Sequence, residues 1–237
     1  ELILNALKDV CSLTSRAIVF LSMDPNPPAQ CLITLDVEGV LTPEIWIALS
    51  DYFGITELKR TTKDEPDYQL LMNARIDLLN KHGIVINDIE KVISSLTPLE
   101  GAKHFLDALR AKFPVVLLSD TFEEFIGPLM RQLGDPLILC HRLGIDSSGV
   151  VTKFSQRTPD QKFHSVRSFQ ELNYKVIAAG DSYNDLSMID QANSGFLFRA
   201  PANVRSERND LVSFEEYDEL FEAITLICLL ISSCCNV

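Results

Sequence analysis

Short, mostly apolar runs punctuate the chain, and the run ends carry polar residues. Cys31-Leu32-Ile33-Thr34-Leu35 stops at Asp36, Val115-Val116-Leu117-Leu118 at Ser119, and Lys175-Val176-Ile177-Ala178-Ala179 at Gly180-Asp181; Gly195-Phe196-Leu197-Phe198 follows. Nearly continuous apolar character over so few residues suits parallel strands covered on both faces. Between these runs the period changes to that of a helix. Residues 99–113 set Ala102, Phe105, Leu106 and Leu109 on one stripe, and 122–133, 160–172 and the shorter 186–192 are similar. Strands alternating with helices predict an α/β fold, a doubly wound, Rossmann-like parallel sheet. Ligands of such sheets bind at the carboxyl ends of the strands. Three of the predicted strands end there in Asp36, Ser119 and Asp181.

The long interval between the first two strands has no strand pattern. Leu70, Leu71, Ala74, Leu78 and Leu79 fall at helical spacing, and Ile86, Ile89, Val92 and Ile93 form a second such face. This predicts a small helical cap, 42–96, inserted after the first strand and lying over the mouth of the sheet. The expected division is an extension or linker at 1–30, a catalytic core of 31–41 and 97–222, the cap, and a tail at 223–237. Asp24-Pro25-Asn26-Pro27-Pro28 reads as a stiff linker.

Composition narrows the function classes. The 237 residues carry a net charge of −12, which speaks against nucleic-acid or anionic-membrane surfaces, since both need clustered Lys and Arg. The longest apolar run, 223–231, is short of the roughly 20 residues that a membrane span needs. The six cysteines show no C-x-x-C spacing and no zinc-finger His partner. A reducing, cytoplasmic compartment is therefore expected, or an organelle if 1–30 is the remnant of a targeting segment. Cys140-His141 matches no catalytic pattern, and Cys234-Cys235 lies in the expected tail.

The strand ends carry the chemistry. Asp36 and Glu38 place two carboxylates on one side of a turn that Gly39 permits. Adjacent carboxylates repel unless a cation lies between them or one takes a proton, and a hard cation such as Mg²⁺ fits. Ser119-Asp120-Thr121 supplies hydroxyls and turn amides that can hold a phosphate oxygen. Gly180-Asp181-Ser182-Tyr183-Asn184-Asp185 puts two more carboxylates around an incipient helix, and Lys162 follows the helix start Thr158-Pro159-Asp160. Each element alone has an ordinary explanation: an acidic loop, a helix cap, an acidic first turn, a solvated lysine.

Together, in this order, the four elements resemble the haloacid dehalogenase-like phosphotransferases, whose Asp, Ser/Thr, Lys and acidic boxes they match from about residue 32 to 220. Asp36-Val37-Glu38-Gly39-Val40-Leu41-Thr42-Pro43-Glu44-Ile45-Trp46, Ser119-Asp120-Thr121-Phe122 and Leu129-Met130-Arg131-Gln132-Leu133-Gly134 resemble, more narrowly, phosphoserine phosphatases of the bifunctional branch that also phosphorylates homoserine. That branch shares Glu38, where the wider superfamily has Asp.

The resemblance implies an Mg²⁺-dependent phosphoserine phosphatase with homoserine as a second acceptor, and a role in amino-acid biosynthesis. Asp36 would be the nucleophile and Glu38 the general acid and base. Asp36, the backbone carbonyl of Glu38, and Asp181 would hold the metal. Ser119, Asp120, Thr121, Lys162 and Asn184 would bind substrate, with Asp185 orienting Lys162. In the cap, Arg75 would take the substrate carboxylate and Glu44 its ammonium, with Tyr68 as a pocket wall. The expected partners are small molecules, with no nucleic acid and no membrane; a homodimer stays open. Two other readings differ in class or substrate. One is a phosphatase for another small phosphomonoester. The other is a receiver-like signalling module, against which Glu38, the insertion and the acidic box all speak.

Overall fold

The computed structural model describes residues 30–234, apart from 62, 63 and 66. The extension at 1–29, its proline-rich linker and the side chains of Cys234 and Cys235 lie outside the described residues. Seven strands form one sheet in the order β4-β3-β2-β1-β5-β6-β7. β1 is Cys31–Leu35, β2 Val115–Phe122, β3 Ile138–Ile145, β4 Val151–Ser155, β5 Lys175–Gly180, β6 Ser194–Phe198 and β7 Val212–Phe214. All neighbours pair parallel except β3 and β4. The helices are α1 (Ile45–Phe53), α2 (Tyr68–Lys81), α3 (Ile86–Ser95), α4 (Ala102–Arg110), α5 (Glu123–Gln132), α6 (Gln161–Glu171), α7 (Leu186–Gln191), α8 (Ala202–Glu207) and α9 (Tyr217–Cys234).

The central strand explains the two-faced burial. All five residues of β1 are buried. Ile33 and Leu35 belong to a core shared with α4, α5, α9 and the insertion. Leu32 belongs to the core on the other face, with Val166 of α6 and Met188 of α7. The sheet is thus covered on both sides, as the apolar runs require.

Three strands escape the sequence pattern. β3 interrupts its apolar residues with His141, Arg142 and Gly144, and β4 mixes buried Val151 and Phe154 with exposed Thr152 and Lys153. Both sit at one edge of the sheet, where one-sided burial weakens the signal. β7 is only three residues long.

The insertion is helical, and its core is continuous with the sheet: Trp46, Leu49, Met72, Ile76, Ile89 and Ile93 join Ile33 and Leu35 in one cluster. Its two ends are tied together, with the Leu99 amide donating to the Leu41 carbonyl at 2.9 Å. Asp67 starts α2 by accepting from the amides of Gln69 and Leu70 at 2.8 and 3.1 Å. α2 lies against β4, where the Asn80 side chain donates to the Val151 carbonyl at 3.1 Å.

The segment expected as a tail from 223 instead continues α9. Leu220, Ile224 and Cys228 fall on one helical stripe and are buried in the main core. Tyr217 anchors the start of α9: its ring stacks between Phe105 and Phe198, and its hydroxyl donates to the Val40 carbonyl at 2.6 Å. No described helix is long and apolar enough to cross a membrane.

If α9 is part of the core, Ile224→Ala should cost about 2–5 kcal/mol through lost burial and a cavity. Leu230→Ala, on the exposed side of the same helix, should stay within about 0.5 kcal/mol. Chemical denaturation of both variants distinguishes a core helix from an appendage, for which the two substitutions would have similar small effects.

Candidate active site

β1 brings Asp36 to the carboxyl edge at the centre of the sheet. From there the chain builds outward in both directions, through β2 and β3 on one side and β5 to β7 on the other. This is the topological switch point, where the crevice of such a sheet opens. The Asp36 amide donates to the Ala179 carbonyl of β5 at 3.0 Å, which continues the ladder to Asp36 itself. The next turn closes tightly, with the Leu41 and Thr42 amides both bonded to the Val37 carbonyl. Gly39 takes φ 80°, and a Cβ there would lie 2.5 Å from Asp181 Oδ2. Glycine is required for both reasons.

Lys162, at the start of α6, reaches into this edge from below. Its ammonium is 2.8 Å from Asp36 Oδ1, 2.6 Å from Asp185 Oδ1 and 3.9 Å from Asp120 Oδ2. Lys162, Asp36 and Asp185 are all buried. Burial disfavours the charge on Lys162, but Asp185, Asp36 and Asp120 outweigh it and hold the ammonium protonated. The second oxygen of Asp185 accepts from the amides of Asp181 and Ser182, each at 3.0 Å. A Cβ on Gly180 would collide with that carboxyl. Asp185 is therefore filled, and its work is to fix Lys162 and the loop after β5.

Asp36 and Asp181 are less satisfied. Burial, then Asp185, pushes the Asp36 carboxyl well above the usual range. The same two causes push Asp181 up to about 7. Asp181 Oδ1 is buried without a hydrogen-bond partner among the described residues. Oxygens of Asp36, Asp181 and Asp185 lie within 4.8 Å of one another. Two crowded carboxylates, Asp36 paired with Lys162 and Asp181 with an open oxygen, form a donor set that fits a hard divalent cation. The Glu38 carboxylate stays outside this cluster; its Oε2 accepts from the Ile45 amide, the first of α1, at 2.9 Å. Burial and then the neighbouring Glu44 push Glu38 up to about 7.

β2 contributes the third edge. Its register with β3 shifts between Leu118 and Phe122, so Ser119, Asp120 and Thr121 form an irregular stretch beside the crevice, a common device near active sites. Asp120 collects donors. Asn184 Nδ2 lies 3.1 Å from its Oδ2, and Gln161 Nε2 and His141 Nε2 each lie 3.4 Å from its Oδ1. Burial opposes ionisation, but Lys162, His141 and Asn184 prevail and hold the carboxyl well below the ordinary range.

The insertion closes the cleft. Arg75 is buried, with its guanidinium 4.5 Å over the Trp46 ring and Nη2 donating to the Arg60 carbonyl at 2.7 Å. Nη1 has only the Met72 sulfur at 3.6 Å, and Nε has no partner among the described residues. Burial lowers Arg75 to about 10, still a cation at neutral pH. The Tyr68 hydroxyl donates to the Asp120 carbonyl at 3.0 Å. The resulting cleft, about 510 Å³, is lined by Asp36, Glu38, Glu44, Tyr68, Arg75, Ser119, Asp120, Lys162, Asp181 and Asn184 among others.

Ten of the site residues expected from the sequence line one cleft; Asp185 is buried behind it against Lys162, and Thr121 is buried next to Asp120. Sequence reasoning missed Gln161, whose side chain donates to the Ser119 carbonyl, and gave His141 no role. The position of Gln161 beside Lys162 was the available signal for the first; nothing local pointed to the second.

A sequence model of haloacid dehalogenase-like hydrolases matches residues 32–193. The chain belongs to that family, and within it to the phosphoserine phosphatases. The phosphoserine phosphatase ThrH of Pseudomonas aeruginosa is 53% identical over 186 residues, which span 78% of this chain and 91% of the relative. A phosphoserine phosphatase of Pseudomonas syringae pv. tomato is 50% identical over 198 residues, 82% of this chain and 84% of its own. A substrate-bound phosphoserine phosphatase structure superposes with a TM-score of 0.66 at 19% identity, covering 81% of this chain and 95% of that one, a likeness of fold.

The carboxylate cluster yields a test independent of turnover. Asp36 and Asp181 titrate higher in the folded protein than unfolded. Stability from Asp181 present at low pH is then lost as pH rises from about 4 through about 7, and Asp36 acts in the same direction. A bound divalent cation favours the ionised carboxylates, so its stabilisation grows over that window. Millimolar Mg²⁺ should raise the melting temperature more at about pH 8 than at about pH 5. Asp181→Asn should raise the cation-free melting temperature at the higher pH and remove most of the Mg²⁺ increment. An increment equal at both pH values would disprove the cluster as the binding site.

Proposed function

We propose that the protein is an Mg²⁺-dependent phosphoserine phosphatase that works through a phosphorylated Asp36 and also transfers the phosphoryl group to homoserine, in serine and threonine biosynthesis. The observation that carries this reading is the Asp36–Lys162 pair at 2.8 Å beside Glu38, in one cleft with the buried Arg75. The Asp36 carboxylate attacks phosphorus as the seryl oxygen leaves, and an aspartyl-phosphate forms. Protonated Glu38 gives its proton to that oxygen. It then takes one from the incoming water or homoserine hydroxyl, which attacks phosphorus and frees Asp36. Lys162, the Ser119 hydroxyl and amides around Thr121, and Asn184 hold the phosphoryl oxygens, with Asp120 and Asp185 fixing Lys162 and Asn184. Asp36, Asp181 and the Glu38 carbonyl would hold Mg²⁺, which would supply further neutralisation of the charge on those oxygens.

Arg75 and Glu44 read the amino-acid part, Arg75 through the carboxylate and Glu44 through the ammonium, while Tyr68 walls the pocket. Glu38 in the Asp box, and Asp120 after Ser119, support homoserine as an acceptor through their resemblance to the bifunctional branch. Among the described residues, the buried cysteines Cys31, Cys140 and Cys228 form no disulfide, which supports a reducing, cytoplasmic setting.

The substrate assignment is tested at Arg75. Arg75→Lys keeps the charge and loses the planar fork. Losing a desolvated charged contact typically costs about 2–5 kcal/mol, or roughly thirtyfold to several thousandfold. Phosphoserine turnover should fall by such a factor, while p-nitrophenyl phosphate, which has no carboxylate, should be hydrolysed nearly as before. Glu44→Gln should show the same selectivity. Equal losses on both substrates would assign Arg75 to cap packing instead.

Glu38 generates a pH signature. With its carboxyl at about 7, the acid form predominates below that pH and the base form above. Rapid-quench measurements should show phosphoenzyme formation falling, and its breakdown rising, as pH passes through about 7. Glu38→Gln should flatten both dependences and slow turnover by about 10²–10⁴. A parent-like profile in this variant would exclude Glu38 from proton transfer.

A further inference from the structure

We propose that His141 is a positioning residue for the phosphate-binding corner and acts through Asp120. His141 is 2% exposed and comes from β3, outside every motif named above. Its Nδ1 accepts from the Arg157 amide at 3.3 Å. That bond assigns the ring proton to Nε2, which faces Asp120 Oδ1 at 3.4 Å. The ring is clamped edge-on by Tyr68 and tilted against Phe122, with centroids 5.9 and 6.2 Å away. Tyr68 also bonds the Asp120 carbonyl. His141 thus has one orientation, one available ring donor and one acceptor to serve.

Asp120 has no spare capacity to act as a base on substrate. Its Oδ1 takes His141 and Gln161, and its Oδ2 takes Asn184 and, at longer range, Lys162. It is a hub that aligns Asn184 and Lys162. Without the His141 donor, an ionised carboxylate next to the phosphoryl site keeps its charge and loses a fixed direction. It is then free to turn toward Lys162 and compete with the phosphoryl oxygens. A partly buried charged acceptor deprived of one donor loses about ten- to a hundredfold in the equilibria that depend on it.

The inference rests on Lys162 and Asn184 as phosphate-binding groups. It does not depend on which alcohol carries the phosphate. The experiment compares His141→Leu, His141→Gln, Asp120→Asn and the His141→Leu/Asp120→Asn double variant in the full-length protein. Steady-state kinetics are read on phosphoserine and on p-nitrophenyl phosphate, together with inhibition by inorganic phosphate and melting temperature. His141→Leu keeps the volume and lacks the donor. It should lower kcat/KM about ten- to a hundredfold by the same factor on both substrates, and weaken inorganic phosphate inhibition. His141→Gln, whose amide nitrogen reaches the place of Nε2, should recover most of both quantities. In the Asp120→Asn background His141→Leu should add little, since the path runs through Asp120.

Additive losses in the double variant would overturn the proposal. So would a Gln variant as impaired as Leu, or losses confined to melting temperature. A parent that hydrolyses p-nitrophenyl phosphate but not phosphoserine would refute the substrate assignment, and the positioning of His141 would be decided on p-nitrophenyl phosphate alone.

Discussion

The buried ammonium of Lys162 is the interaction on which the active edge depends. It lies 2.8 Å from Asp36 and 2.6 Å from Asp185 at a place where both partners are themselves buried. A charge taken out of water at that depth costs several kcal/mol, and only close, well-bonded partners offset it. The loop after β5 is shaped to provide one. Gly180 leaves room for the Asp185 carboxyl, and two backbone amides fill the oxygen that Lys162 does not use. Apolar groups of similar volume would serve stability as well. What the ion pairs provide is a cation aimed at one oxygen of Asp36, on the strand that the whole sheet is built around.

The same crevice collects more negative charge than its cations balance. Asp36, Glu38, Glu44, Asp120, Asp160 and Asp181 line it, against Lys162 and Arg75. A phosphate ester would be repelled from such a surface if all the carboxylates were ionised and unscreened. Two routes relieve the conflict. Asp36, Glu38 and Asp181 are pushed toward the protonated form, while the charge of Lys162 and the donors His141 and Asn184 keep Asp120 ionised. A divalent cation between Asp36 and Asp181 would relieve the first group further. The folded state therefore holds electrostatic strain that its apolar core must carry, which is the ordinary relation between a functional site and its scaffold.

How much of this was legible in the sequence follows from how each residue is placed. Asp36, Ser119 and Asp181 were readable because each closes an apolar run, and strand ends on one edge of a parallel sheet must meet. Lys162 has no such signature. It became readable only through the order of the four boxes, which is knowledge of a family and not of periodicity. His141 was hidden because β3 alternates imperfectly at the sheet edge, and no spacing links it to Asp120. The grip of the Arg60 carbonyl on Arg75 is a backbone contact, and no side-chain pattern reports it. α9 was misread as a tail because its apolar run has no polar partner face as clear as those of α3 or α4. The burial of Leu220, Ile224 and Cys228 decides the matter in three dimensions only.

Glu38 joins the chemistry to the insertion. Its carboxylate accepts from the Ile45 amide at the start of α1, where the helix dipole favours negative charge. Glu44, at the cap position, makes no side-chain capping bond of its own. Protonation of Glu38 is therefore weighed against the cap of α1. Ionised Glu38 completes that helix end, and protonated Glu38 weakens it. α1 in turn carries Trp46, over which Arg75 is stacked. Glu38 and Arg75 are two steps apart along one chain of contacts, through a helix that packs in the same core as β1. Burial and Glu44 raise Glu38, while the Ile45 amide and Arg75 restrain the rise. After burial itself, residues of the insertion thus take a large part in the balance that leaves it near 7, so the cap shapes the titration of Glu38 as well as covering it.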